Sequence, residues 1–411
     1  MRSIRLLASP VLRAGVGLCL LAALSACGGG GGVAPAPAPA PPPPAPAPAP
    51  SPSACTLPPG VDLGRVGSPT PKPSTTTPGL VLMGGGVDVD EAMRWLIARA
   101  GGGDMVVLRS TGGAGYNNYL LGLGGLNSVQ TLLVDSAAEG NDACVAQTIR
   151  DAGALFIAGG NQADYVRYFK GSAVGQAINH LIVTKRAPVG GTSAGMAILG
   201  QHYHPGGAPE DSSGLQDPSR TEIGQGFVTA AWLRNTVTEP HFTAGTTGAV
   251  GTPANPKRAG RVVAFMAQML LGQGVSWTEA RAIAVDDDTA VAISDNGMAQ
   301  VFTFPGRSGS ALFVRPTAPP ERLVAGSSLT WNASGQALAV DEVPGTALGS
   351  QGFDLGAWRA SGGTARQWSV VDGVLVRRRS RPRAASPRAS PGPCVSTTVA
   401  IVGRLALALR A

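Results

Sequence analysis

The chain has few of the residues that usually announce a mechanism. It holds four histidines in 411 residues, His180, His202, His204 and His241, so a reaction that needs an imidazole base has little to choose from. Cysteine is nearly as rare, with five copies, too few for a disulfide-dense scaffold. Aromatic residues make up 5 % of the chain, so a core must be built mainly from alanine, valine and leucine, which are plentiful. The apolar runs Val16–Leu24 and Val395–Leu409 are both too short to span a bilayer comfortably. The glycine triplet Gly84–Gly86 has neither G-x-G-x-x-G spacing with a ribose-binding acid nor a Walker lysine, which excludes a nucleotide-binding loop.

The two ends have compositions of their own. Arg2, Arg5 and Arg13 precede the first apolar run, which ends in Leu24-Ser25-Ala26-Cys27. This is the form of a bacterial lipoprotein signal over residues 1–26, with Cys27 as the lipidated residue. Glycine at position 28 favours the outer membrane, on its periplasmic or cell-surface side. Residues 27–77 read as a Gly/Ala/Pro-rich tether; its alanine-proline repeats favour polyproline II at about 3 Å per residue. Residues 377–411 carry eight arginines and no acid, and read as a disordered tail. Of the formal charge of +7, three positive charges lie in the first 26 residues and eight after Val376, which leaves −4 on the stretch between. The basic balance therefore belongs to the ends, and no nucleic acid is expected as a partner. Once Cys19 leaves with the signal and Cys27 is lipidated, Cys55, Cys144 and Cys394 remain. Cys55 with Cys144 is the preferred pair because both flank the folded body; the odd count leaves other pairings open.

Between these ends, apolar runs alternate with amphipathic stretches. Gly79–Met83, Asp104–Leu108, Val129–Val134 and Ala154–Ala158 read as buried strands, separated by helices over Glu91–Ala100, Tyr116–Leu123 and Ala143–Ala152. A helix over Val174–Thr184 then feeds a strand from Pro188. The pattern predicts an α/β fold: a doubly wound, mostly parallel sheet over residues 78–295 with ligands bound beyond the carboxyl ends of its strands. Glycine-rich turns fall there, at 84–86, 159–160 and 190–191. Past Ala290 the chain becomes β-rich and predicts a small antiparallel extension over 296–376.

Gly191-Thr192-Ser193-Ala194-Gly195 gives G-x-S-x-G between the strand and a following helix of small residues, the pattern of a nucleophile elbow. Ser193 would need a base. His180 falls within a helix. His202 and His204, in Q-H-Y-H-P, lack a third metal ligand. His241 ends the strand-like run Asn235–Glu239 and is the best candidate. Asp286, Asp287 and Asp288 close another strand, and three acids there are costly unless one orients an imidazolium. The order Ser, His, Asp differs from that of the α/β-hydrolases.

The body resembles the cyanophycinases, serine peptidases of family S51 with a class I glutamine amidotransferase-like fold. The resemblance runs through M-G-G-G-V-D-V-D-E-A-M-R-W from Met83, Y-N-N-Y-L from Tyr116, I-A-G-G-N-Q-A-D-Y from Ile157, G-G-T-S-A-G-M from Gly190, N-T-V-T-E-P-H-F from Asn235 and V-D-D-D-T-A-V from Val285. It implies Ser193 as nucleophile, His241 as base and Asp287 as orienting acid, where the family usually has glutamate and Asp286 is the fallback. It implies an oxyanion hole from the N–H groups of Gly160 and Ala194, and substrate contacts from Gln162, Glu239, Arg258 and Arg261. The departures are Pro240 in place of the family's glutamine and a Gly/Thr/Pro insertion after His241. The implied activity is exopeptidase cleavage of cyanophycin, multi-L-arginyl-poly-L-aspartate, to β-Asp-Arg dipeptides, with no cofactor, no metal and a homodimer as one admissible state. Alternatives are a binding lipoprotein that keeps the fold without the chemistry, and a peptidase acting on other isoaspartyl peptides.

Overall fold

In the computed structural model, residues 55–206, 212–242 and 256–379 are described. The signal segment with Cys27, most of the tether, Cys394, the insertion after His241 and the arginine-rich tail beyond Arg379 lie outside them. The first strands are β1 (Asp62–Gly67), β2 (Gly79–Met83), β3 (Asp104–Arg109), β4 (Ser128–Leu133), β5 (Ala154–Ile157) and β6 (Val189–Thr192). Among the described residues, ten strands form one sheet and eight a second. The fold is mixed α/β, and the first sheet has a parallel centre in the order β4-β3-β5-β6-β2. Those five strands are almost wholly buried, as strands covered on both faces of a parallel sheet are. The helix Asp90–Ala98 shows the helical period directly: Ala92, Met93, Leu96 and Ile97 are buried and the remaining face is not. Each large apolar side chain so buried contributes about 1.5–3 kcal/mol.

The stretch read as a β-rich extension is β-rich, and its strands join both sheets. Thr289–Ser294 pairs antiparallel with β2 and with Met298–Thr303, continuing the first sheet. Ser310–Pro316, Leu338–Pro344, Thr364–Val371 and Val374–Arg379 build the second sheet outward from Arg281–Val285. The last of these strands runs three residues into the segment read as tail. Within that β-rich stretch, Thr330 and Trp331 make only isolated bridges, to Arg322 and Val370. Gln162–Phe169, which had no assignment, is a helix capped by the Asn161 side chain.

The folded body also begins earlier than the composition suggests. β1 lies within the residues assigned to the tether, antiparallel to β4. Asp104 fastens the segment that follows it: burial works against its carboxylate, but hydrogen bonds from Ser128, Asn127 and the Lys72 N–H, with Arg65 nearby, hold its pKa below the usual range. Just upstream, Cys55 is bridged to Cys144, with Cα atoms 5.4 Å apart. Cys144 sits in the first turn of the helix Ala143–Asp151, which Asp142 caps by accepting from the Cys144 and Val145 amides.

The bridge closes a sequence separation of 89 residues. Chain entropy then assigns it about 4–5 kcal/mol, so Cys55→Ser with Cys144→Ser should lower the urea-unfolding free energy by that amount. A loss under about 1 kcal/mol would contradict the entropic assignment.

Candidate active site

β6 lies between β5 and β2, so their carboxyl ends, and the glycine turns that follow them, meet around Ser193. Ser193 has φ 52° and ψ −119°, a conformation that costs a non-glycine residue about 1–3 kcal/mol. Its neighbours show why the motif needs glycine. A Cβ on Gly191 would stand 2.5 Å from the Gly195 carbonyl carbon, and one on Gly195 would stand 2.1 Å from the Ile157 oxygen. The helix that follows is a single turn, Ala194–Ala197, shorter than the sequence suggests, so any stabilisation of an anion here comes from local amides more than from a macrodipole.

The other two groups come from the second sheet. Thr236–Glu239 and Arg281–Val285 are parallel neighbours, with Glu239 opposite Ala284, so the segments leaving them emerge side by side. One carries His241 and the other Asp287. Ser193 Oγ is 2.6 Å from His241 Nε2, and His241 Nδ1 is 2.5 Å from Asp287 Oδ1. Asp287, not Asp286, thus reaches the imidazole. Asp286 Oδ2 accepts from the Ser310 amide, and Asp288 Oδ1 accepts from the Val87 amide. Three successive carbonyls at the end of β2 tie the pieces together: Met83 O accepts from Ser193 N, Gly84 O from His241 N, and Gly85 O from Asp288 N. The triplet that failed as a nucleotide loop therefore has another use. A Cβ on Gly85, at φ +115°, would stand 2.1 Å from His241 Cε1.

The expected oxyanion donors flank Ser193 in sequence and in space. Ala194 follows it, and Gly159-Gly160 closes β5 next door. Gly159 is the nearer of the pair, since a Cβ built on it would lie 3.4 Å from Ser193 Cβ. Tyr165 donates its hydroxyl to the Ala158 carbonyl at 2.8 Å and so fixes this turn; burial pushes its pKa up to about 12. Sequence reasoning passed over Tyr165, whose only signal is its place one helical turn after Gln162.

The substrate contacts expected of Glu239 and Arg261 are corrected by burial. Glu239 is 1 % exposed at the end of a fully buried strand, and a carboxylate there must be matched by cations. Arg261, 5 % exposed, donates to Glu239 Oε1 through Nε at 3.0 Å and through Nη2. Arg258, half-buried, donates through Nη1 to the same oxygen at 2.9 Å and to the Pro240 carbonyl at 3.0 Å. The cluster braces the segment that carries His241. Gln162 is brought to the site's edge with its side-chain nitrogen on His204.

The Q-H-Y-H-P histidines are occupied by glutamines: His202 Nδ1 contacts Gln273 Oε1, as His204 Nδ1 contacts Gln162. Among the described residues no three His, Cys, Asp or Glu side chains gather as a metal site. An open cleft of about 390 Å³, lined in part by Gly79, Ile182, Trp232 and Ile293, lies at the amino ends of β2 and β6, the opposite end from Ser193.

A serine on an elbow, an imidazole and a carboxylate in line at the carboxyl edge of a parallel sheet form a geometry suited to acyl transfer by a serine hydrolase. Residues 123–296, which include all three groups, match the model of Peptidase family S51. Among solved structures the chain is similar to a peptidase from an acI-B1 Actinobacterium, at 14 % identity and a TM-score of 0.40 over 62 % of this chain and 94 % of that one. It is also similar to a candidate peptidase E protein from Listeria monocytogenes EGD-e, at 14 % identity and a TM-score of 0.30 over 56 % and 99 %. Comparison with curated proteins finds no match.

Two outcomes follow from the buried groups. Removing one member of a buried ion cluster costs about 3–5 kcal/mol, so Glu239→Ala should lower unfolding stability by that much; unchanged stability with a weakened KM would restore the substrate-contact reading. His202 is 1 % exposed and its Nε2 has no hydrogen-bond partner among the described residues. Burial lowers its pKa below 6.5, against smaller opposing effects of Gln273 and Asn235. The unfolded chain then binds a proton that the folded one refuses, so this stability is present above about pH 6.5 and is lost as the pH falls below it. The Tm should drop between pH 7.5 and 5.5, and His202→Gln should flatten that slope; an equal slope in the variant would remove His202 as its source.

Proposed function

We propose that this chain is a serine exopeptidase of the cyanophycinase kind, exported and held to the outer membrane by a lipid on Cys27. The observation that carries the reading is the line from Ser193 Oγ through His241 to Asp287, at 2.6 and 2.5 Å, inside the S51-matching residues. Ser193 Oγ attacks the carbonyl carbon of a peptide bond next to a β-linked aspartyl residue while His241 Nε2 takes the hydroxyl proton. Asp287 keeps Nδ1 protonated and stabilises the imidazolium. Amides of Ala194 and of the Gly159-Gly160 turn receive the oxyanion. His241 then protonates the leaving amine, and water attacks the acyl-enzyme by the same relay in reverse. No metal or organic cofactor enters this scheme.

A second reading has an observation of its own. Arg258 and Arg261, expected as substrate contacts, are both engaged by Glu239. An S51 peptidase that cleaves other isoaspartyl peptides would then hold their carboxylate through other groups, and the same mechanism serves it.

Dipeptide release from purified cyanophycin by the full chain, beside a Ser193→Ala control, separates the readings. Release by the parent, falling at least 10³-fold in the control, is expected. Hydrolysis of β-aspartyl dipeptides without release from the polymer would favour the second reading. Failure of a fluorophosphonate to label Ser193 in folded protein would defeat both.

A further inference from the structure

Gln162 opens the helix Gln162–Phe169, two residues past Gly160. Its side-chain nitrogen lies 3.0 Å from His204 Nδ1 and 3.1 Å from the His204 carbonyl oxygen. The carbonyl can only accept, and Nδ1 accepts when the ring proton is on Nε2. Turned the other way, the carboxamide would set its own oxygen against that carbonyl. The two contacts therefore fix the amide, with its nitrogen committed to His204 and Oε1 turned away from that residue.

The ring that imposes this is itself fixed. His204 is 3 % exposed and stacks on Phe265, with centroids 5.1 Å apart and planes 26° from parallel. The Arg261 guanidinium lies 5.5 Å from the Phe265 ring centre, and Arg261 is bound to Glu239, two residues before His241. One continuous set of buried contacts runs from the base-bearing segment to Gln162.

We propose that His204 is a positioning residue. It holds Gln162 as a donor so that Oε1 faces the site as an acceptor, selecting peptides that offer an N–H donor there, a main-chain amide or a free ammonium group. This rests on the peptidase reading given above. The chain then discriminates by polarity at position 162, since a carboxamide free to rotate would accept either a donor or an acceptor.

The test uses the full chain with purified cyanophycin as substrate, read as dipeptide release. His204→Phe keeps a ring on Phe265 but removes the acceptor; KM should rise about tenfold, one hydrogen bond's worth, with kcat within about twofold. His204→Asn places an acceptor oxygen near the Nδ1 position and should restore KM. Gln162→Leu should match His204→Phe, and the double variant should be no worse than Gln162→Leu alone. Wild-type KM in His204→Phe beside a raised KM in Gln162→Leu would overturn the proposal, as would fully additive effects. Fluorophosphonate labelling of Ser193 reports on the peptidase reading separately. If the wild type is labelled yet releases no dipeptide from the polymer, the imidazole ¹⁵N spectrum decides: a His204 ring protonated at Nδ1 near pH 8 overturns the arrangement, and an Nε2–H tautomer whose Nδ1 signal shifts in Gln162→Leu supports it.

Discussion

Three consecutive backbone carbonyls hold the candidate site together. Met83, Gly84 and Gly85 leave β2 and accept in turn from the amides of Ser193, His241 and Asp288. Each belongs to a different segment, and two of those segments come from the second sheet. With the ladder in place, the side-chain line from Ser193 to Asp287 needs only rotamer adjustment. Without it, an elbow in one sheet and a pair of loops from another have no common reference. Side chains at these positions would fill the space the ladder needs, since a Cβ on Gly84 would stand 2.1 Å from the Asp286 oxygen and one on Gly86 2.3 Å from Asp288 Oδ1. Glycine here serves close approach as much as backbone freedom.

The second constraint is electrostatic. Glu239 sits where burial would ordinarily exclude a carboxylate, and two arginines from the helix Pro256–Gln273 converge on one of its oxygens. Such a cluster is a weak source of net stability, because desolvation offsets much of the attraction. Its geometric consequence is firmer. Arg258 also holds the Pro240 carbonyl, so the residue before His241 is clamped in addition to the bond from the β2 ladder. His241 has φ 49°, a left-handed conformation that a loose loop would relax. These two clamps account for the strain being kept.

How much of this was legible in the sequence differs by element. The parallel centre was legible because strands buried on both faces write themselves as unbroken apolar runs. The elbow was legible because its constraint is local, two glycines about one serine. His241 could be reached by elimination among four histidines. Choosing between Asp286 and Asp287 could not, because adjacent residues at a strand end differ only in direction. β1 was hidden by its glycines, Gly64 and Gly67, and by the proline-rich run around it; what recruits it is Asp104, 37 residues after it ends. The destiny of Arg258 and Arg261 was hidden for a related reason. Charge in a sequence suggests solvent or substrate, and only the burial of Glu239 redirects both side chains inward.

Aspartate is the shorter of the two carboxylates, which raises a question of reach, and the three-acid turn answers it. A shorter side chain can meet His241 Nδ1 only if its backbone comes closer. Asp288, at φ 56°, bends the chain back toward β2, where its amide bonds to Gly85 O and its carboxylate accepts from the Val87 amide. Asp286 anchors the other side through the Ser310 amide. The flanking acids thus draw the backbone of Asp287 inward, and each is matched by a donor of its own, which is why three adjacent carboxylates can be tolerated at one buried strand end. Replacing the middle acid alone by glutamate would then crowd the imidazole instead of improving its contact, because the turn is already set for the shorter residue.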